Sequence, residues 1–308
     1  MDNQIILATK QLTKKYGDVT AVEQINLNVK KGRIYGLLGR NGAGKTTIMK
    51  MVLGLISISS GEVEIFGEPL KGNEKNIYTR IGSIIETPSF YSYLTGTENL
   101  EIFSRLRGMI NKNAVRSALE VVGLPYKDKK PFASYSLGMK QRLGIANAIL
   151  NDPVILILNE PTNGLDPVGI VEIRNFLQTL CHEQGKTIII SSHILSEISL
   201  LADDIGIIHD GHLLREISMI ELEERNKKFI EIKVNSVAKT TQLLESVMKC
   251  QNYSVTDKNC IEIYDETLDT EEIANCLVAH GVGLSSMYLK HETLEDYFNS
   301  LTGGATFE

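Results

Sequence analysis

Two stretches of this 308-residue chain carry residue types suited to handling phosphate. The first, GRNGAGKT at 39–46, fits the pattern GxxxxGK[ST] between an apolar run at 34–38 and an amphipathic helical pattern. Gly39, Gly42 and Gly44 let backbone N–H groups turn inward around phosphate oxygens, and the following helix N-terminus adds the positive end of its dipole. Lys45 is placed to reach β- and γ-phosphates and the Thr46 hydroxyl to ligate Mg²⁺; Asn41 and Thr47 belong to the same nucleotide-binding set. The second stretch is VILILNE at 154–160. Its five apolar residues mark a strand buried on both faces of a parallel sheet, and Asn159 and Glu160 stand where that strand ends. Ligands bind at the carboxyl ends of such strands, so a carboxylate there is placed for chemistry. A core strand leaving through an ordinary polar turn is the other reading of these residues alone.

The elements around these stretches follow an α/β rhythm. Strand-like alternation at Ile25, Leu27 and Val29 precedes the run 34–38; a helix with Ile48, Met49, Val52, Leu53 and Ile56 on one side is expected to end near SISSGE. From about Pro88 to Leu150 the pattern is mostly helical, an insertion in the α/β domain. Beyond it the sequence predicts a strand at 154–158, a helix near 168–182, a strand at 187–191, a helix near 194–201, a strand at 205–208 and a hairpin turn at Asp210-Gly211. The charge run ELEERNKK reads as a solvated helix and linker. The expected domains are thus 1–220 and, from 229 to 308, a small α+β unit whose order βαββαβ suggests a ferredoxin-like fold.

The chain has the size for two domains and the composition of a globular protein, 43% hydrophobic and 23% charged. A net charge of -6 argues against nucleic acid as partner. No run approaches the roughly 18 apolar residues that span a bilayer, and MDNQIILATK lacks the blocks of a signal peptide. A cytoplasmic location is expected. Cys181, Cys250, Cys260 and Cys276 lack paired CxxC spacing and read as reduced structural thiols.

SLGMKQRLGIA, beginning at Ser136, offers a hydroxyl, backbone N–H groups and a helix N-terminus, a second anion site on the same chain. It resembles the signature segment of ABC ATPases, and the other motifs of that family follow in order: NGLD at 163–166 like a D-loop, His193 like the switch histidine after IIISS, and Tyr16 where an aromatic stacks on adenine. The resemblance covers about 7–214 and implies a P-loop ABC ATPase fold that binds ATP and Mg²⁺. It also implies a dimer in which Ser136 and Gly138, with Asp166 near them, cap nucleotide on the partner, Glu160 acts as base and His193 senses the γ-phosphate. IGSIIETPSFYSYLTGTENL, EPTNGLDPVGI and the terminal TLEDYFNSLTGG are similar to ATP-binding subunits of bacitracin-resistance and lantibiotic-immunity transporters. That likeness implies a membrane permease partner, a peripheral position on the inner face of the membrane and export of an antimicrobial peptide. Within it, PSFYSYLT, with Phe90, Tyr91 and Tyr93, is the candidate permease contact or, alternatively, a local hydrophobic cluster.

Two positions depart from the general pattern of that family. Glu86 stands where most relatives carry glutamine, and Asn159 replaces the aspartate that ends the Walker B strand. Asparagine keeps one acceptor oxygen but removes a negative charge beside the metal, a loss that typically costs about 10- to 100-fold in metal affinity or activity. With Thr46, Glu86 and Asn159 taken as the metal set, one reading has Glu86 offset the missing charge; the other takes it as an exposed acidic loop residue. A second reading follows from the same residue: a slow or inactive ATPase acting as a nucleotide-gated sensing module.

Overall fold

The computed structural model describes residues 4–86, 89–108, 112–225, 228–265, 267–291 and 293–302. Two compact units divide the chain, one built on Met1–Ile220 and the other on Glu221–Gly303.

In the first unit the chain runs β1 (Ile5–Tyr16), β2 (Val19–Ile25), β3 (Asn28–Lys30), β4 (Ile34–Leu38), α1 (Lys45–Val52), β5 (Ser60–Ile65), β6 (Glu68–Pro69), α2 (Glu74–Tyr78) and β7 (Ile81–Ile84). Three helices follow, α3 (Gly96–Leu106), α4 (Lys112–Val121) and α5 (Leu137–Ile149), the expected helical insertion; its expected start at Pro88 lies outside the described residues. Then come β8 (Ile155–Asn159), α6 (Pro167–Gln178), β9 (Thr187–Ser192), α7 (Leu195–Ser199), β10 (Asp204–His209) and β11 (His212–Ser218), and α8 (Met219–Arg225) runs across the boundary between the units.

The sheet that matters for chemistry is ordered β11-β10-β4-β9-β8-β7, parallel throughout except for the β10–β11 hairpin. Its central strands are apolar without alternation because both faces are covered: every residue of β4 and β9 is buried. Register fixes the carboxyl ends: Asn159 pairs with Ser191 across β8 and β9, and Leu38 with Ser192 across β4 and β9. The residues that follow each strand therefore emerge side by side. A separate antiparallel sheet, β2-β1-β5-β6 with β3 on β1, completes the unit. The hairpin turn falls at Asp210-Gly211 as expected, both residues at positive φ (45° and 79°), the requirement of the tight turn that suits strand twist.

Helix α1 is shorter than its apolar pattern predicts. It stops at Val52, because Gly54 takes a left-handed φ of 65° and the N–H groups of Gly54 and Leu55 bond back to the Met51 and Lys50 carbonyls. That pairing is a helix-terminating motif in which the apolar positions Leu53 and Ile56 pack on the core from the turn.

The second unit contains β12 (Lys228–Val234), α9 (Val237–Ser246), β13 (Tyr253–Asp257), β14 (Cys260–Ile263), α10 (Thr270–Ala279), β15 (Leu284–His291) and α11 (Leu294–Leu301). Its sheet order is β13-β14-β12-β15 with all neighbours antiparallel, and Ile230, Ile232, Ile261 and Ile263 share one core with Leu244 and Leu277 of the helices. This is a split βαβ arrangement. All four cysteines are free thiols. Among the described residues no helix is long and apolar enough to cross a membrane.

Candidate nucleotide site

The loop 39–46 leaves β4 and feeds α1, as its sequence requires. Gly39 has no room for a side chain, since a Cβ there would lie 2.4 Å from the Ile208 carbonyl oxygen. Gly44 enters the helix at φ 108° with no side-chain cap on the first turn, which leaves that turn's positive end for an anion. Asn41 and Gly42 are exposed on the loop and Thr47 is half-buried beside Thr46. The Lys45 ammonium is buried; it donates to the Gly39 carbonyl at 2.5 Å and the Arg40 carbonyl at 3.1 Å, and lies 3.7 Å from Glu160 Oε1. Burial lowers its pKa from the ordinary lysine value, with Glu160 pulling the other way.

Glu160 follows β8 at φ 49°, a conformation uncommon for a side chain of its size. The backbone holds it there: its N–H donates to the Ser191 carbonyl at 3.2 Å and to Ser191 Oγ at 3.1 Å. Its carboxylate is shared between Lys45 on one side and His193, whose Nδ1 lies 2.8 Å from Oε2. A carboxylate so held can take a proton from a water molecule, and the imidazole beside it can follow charge at the same point. Asn159 Oδ1 accepts from Thr46 Oγ1 at 3.1 Å and from Ser191 Oγ at 2.8 Å, while its Nδ2 donates to the Ile85 carbonyl at 3.0 Å.

Glu86 does not join this cluster as expected from the sequence. Its carboxylate is exposed and bonded to Lys50 Nζ at 2.7 Å, which holds its pKa below the ordinary range. The physical reason is helical spacing: Lys50 lies one turn beyond Thr46 on α1 and captures the carboxylate on the outer side.

Ser136 and Gly138 stand apart from this cluster with Asp166. Ser136 caps α5, accepting from the Met139 N–H at 3.3 Å, and Asp166 caps α6, accepting from the Gly169 N–H at 2.9 Å. With Arg142, Gly164 and Glu172 they line an open hollow of about 510 Å³, across which Arg142 and Glu172 form an ion pair. Tyr16 ends β1 half-exposed, with Lys14 Nζ 4.8 Å from its ring centre. Of the aromatic residues near 88–95, Phe90 is buried against Phe103 and Phe132, whereas Tyr91 and Tyr93 are exposed; Pro88 lies outside the described residues. Ser191 joins the Asn159–Glu160 cluster through its bonds to both residues, although the motifs alone did not single it out. Its signal was the serine pair closing the otherwise apolar TIIISS.

Fold and site define a phosphate-loop ATPase with a helical insertion. The chain belongs to the ABC transporter family as an ATP-binding protein, and the family model described as ABC transporter matches residues 22–163. It is 51% identical to the bacitracin transport ATP-binding protein BcrA of Enterococcus faecalis over 98% of this chain and 97% of that one. Identity to the lantibiotic transport ATP-binding protein SrtF of Streptococcus pyogenes is 44%, over 68% of this chain and 90% of that protein. Among solved structures, an ATP-binding cassette seen as a dimer after hydrolysis with ADP and phosphate is similar with a TM-score of 0.62 at 26% identity, covering 70% of this chain and 99% of that one. The cbiO1 subunit of Clostridium perfringens, part of an ABC transporter complex, is similar at 0.65 and 26% over 80% and 96%.

Cassettes of this family hydrolyse ATP with Mg²⁺ to power transport, and the residues present fit that ligand. An uncapped helix N-terminus, a buried ammonium and a threonine hydroxyl with free lone pairs converge beside an anchored carboxylate. Neither the geometry nor the relatives support the alternative of an inactive sensing module.

Proposed function

We propose that this chain is the motor subunit of an exporter that removes a bacitracin- or lantibiotic-type antimicrobial peptide through a separate membrane permease. Lys45 binds the β- and γ-phosphates of ATP, the Thr46 hydroxyl ligates the metal, and the first turn of α1 adds its N–H groups. Mg²⁺ supplies charge neutralisation at the phosphates. Glu160 accepts the proton of the attacking water and His193 senses the γ-phosphate across the 2.8 Å contact between them. Tyr16 stacks on adenine from its exposed position at the end of β1. Two copies close so that Ser136 and Gly138 of one cap the Lys45 loop of the other, with Asp166 at the joint. The exposure of Tyr91 and Tyr93 supports a permease contact at this segment, with the subunit on the inner face of the membrane.

The observation that carries this reading is Glu160 held at positive φ between Lys45 and His193, a geometry suited to activating water beside a phosphate. It joins the full-length similarity to BcrA. The test is ATP turnover of the subunit reconstituted with its permease, with and without bacitracin or a lantibiotic. Stimulation by peptide is the expected result; turnover indifferent to every peptide of both classes would overturn the assigned cargo.

A further inference from the structure

We infer that Asn159 is a positioning residue that clips the segment after β7 to the metal-binding threonine through its amide N–H. The surroundings allow one orientation of this amide. Ile85 presents a carbonyl, which only accepts, so Nδ2 must face it at 3.0 Å; Oδ1 is then left to the hydroxyls of Thr46 at 3.1 Å and Ser191 at 2.8 Å. Both lone pairs of Oδ1 are in use. Each hydroxyl keeps lone pairs of its own: Thr46 Oγ1 can ligate a metal while its proton stays on Asn159, and Ser191 Oγ accepts from the Glu160 N–H at 3.1 Å.

One side chain therefore joins α1, β9 and residue 85, and reaches the backbone of Glu160 through Ser191. The ion pair between Lys50 and Glu86 is a second tie between α1 and the same segment, one turn further along the helix. An aspartate at 159 has no N–H to give. Its second oxygen would face the Ile85 carbonyl as one acceptor against another, and of the two side-chain ties to α1 the segment 85–86 would keep only the one to Lys50, beside the packing of Ile85 on the core. Asparagine thus exchanges a negative charge near the metal for a grip on this segment. The clip is a property of the folded chain; its use in aligning Thr46 and Glu160 for hydrolysis rests on the proposed motor reading.

Hydrogen exchange on the full chain without nucleotide tests the clip directly, in the native protein, Asn159→Asp and Asn159→Ala. Amides of 83–86 should exchange faster in both variants, by roughly tenfold for loss of one bond to a partly buried carbonyl, with 39–46 protected as before. Equal exchange in all three proteins would overturn the clip. Calorimetric titration of Mg²⁺ into the protein with ADP reads the exchange of charge for grip: Asn159→Asp should need about tenfold less Mg²⁺ than the native chain and Asn159→Ala should not. An unchanged requirement in Asn159→Asp would overturn that part. If the native chain bound no nucleotide, the motor reading would fail while the exchange result still judged the clip.

Discussion

Lys45 and Glu160 have side chains only 5% and 18% exposed, whereas Ser136 is exposed and Leu137 beside it 52% exposed. Both regions lie at a helix N-terminus, yet the first is enclosed by its own chain and the second is open. Strand register brings Gly39, Asn159, Glu160, Ser191 and His193 out of adjacent parallel strands; the last four bond to one another in a chain and the Gly39 carbonyl accepts from Lys45. Ser136 and Asp166 instead satisfy only the first turns that they cap and leave the hollow between them open. The difference is one of enclosure: the first region finds its polar partners within the chain, and the second leaves a hollow open, which is where the proposed dimer reading seats the other copy.

The comparison is broken most sharply at Glu160. Glu160→Gln keeps the size and the bond to Ser191 but loses the proton acceptor, so steady-state ATP hydrolysis should fall by about 10²- to 10⁴-fold while nucleotide binding by equilibrium dialysis is retained. Turnover reduced only two- or threefold would show that the enclosed region is not where water is activated.

A smaller effect probes the cost of enclosure. Because burial lowers the pKa of Lys45, the unfolded chain binds more protons than the folded one between that lowered value and the ordinary 10.5. Stability without nucleotide should therefore rise with pH across that window as the buried ammonium loses its charge, and Lys45→Met should remove this dependence. At neutral pH the same variant should melt roughly 1–3 °C higher while losing nucleotide binding. A lower melting temperature would mean that the bonds to Gly39 and Arg40 outweigh the burial.

How much of this was legible in the sequence follows from the range of each signal. The loop 39–46 is a local pattern whose function needs only a strand before it and a helix after it, and the unbroken apolar runs at 34–38, 154–158 and 187–191 betrayed a covered parallel sheet. The antiparallel sheet was not legible. Strand β1 carries a bulge with Gln11 at φ 47° and two register shifts against β2, so its buried residues do not alternate. The partners of Asn159 were equally hidden, for Ile85 is 74 residues away and its contribution is a carbonyl that no motif records. Glu86 shows the same limit, since nothing local announced that Lys50 would take its carboxylate.

The most direct test mixes two disabled chains. Lys45→Met lacks a working enclosed half but keeps its exposed face, and Gly138→Asp spoils the exposed face but keeps the enclosed half. Each alone should be inactive. Mixed with the permease and ATP, they form heterodimers with one intact composite site, and ATP turnover should reappear. Turnover that stays at background after mixing, with both variants folded and Gly138→Asp still binding nucleotide, would contradict the account of two unequal halves completed across a dimer.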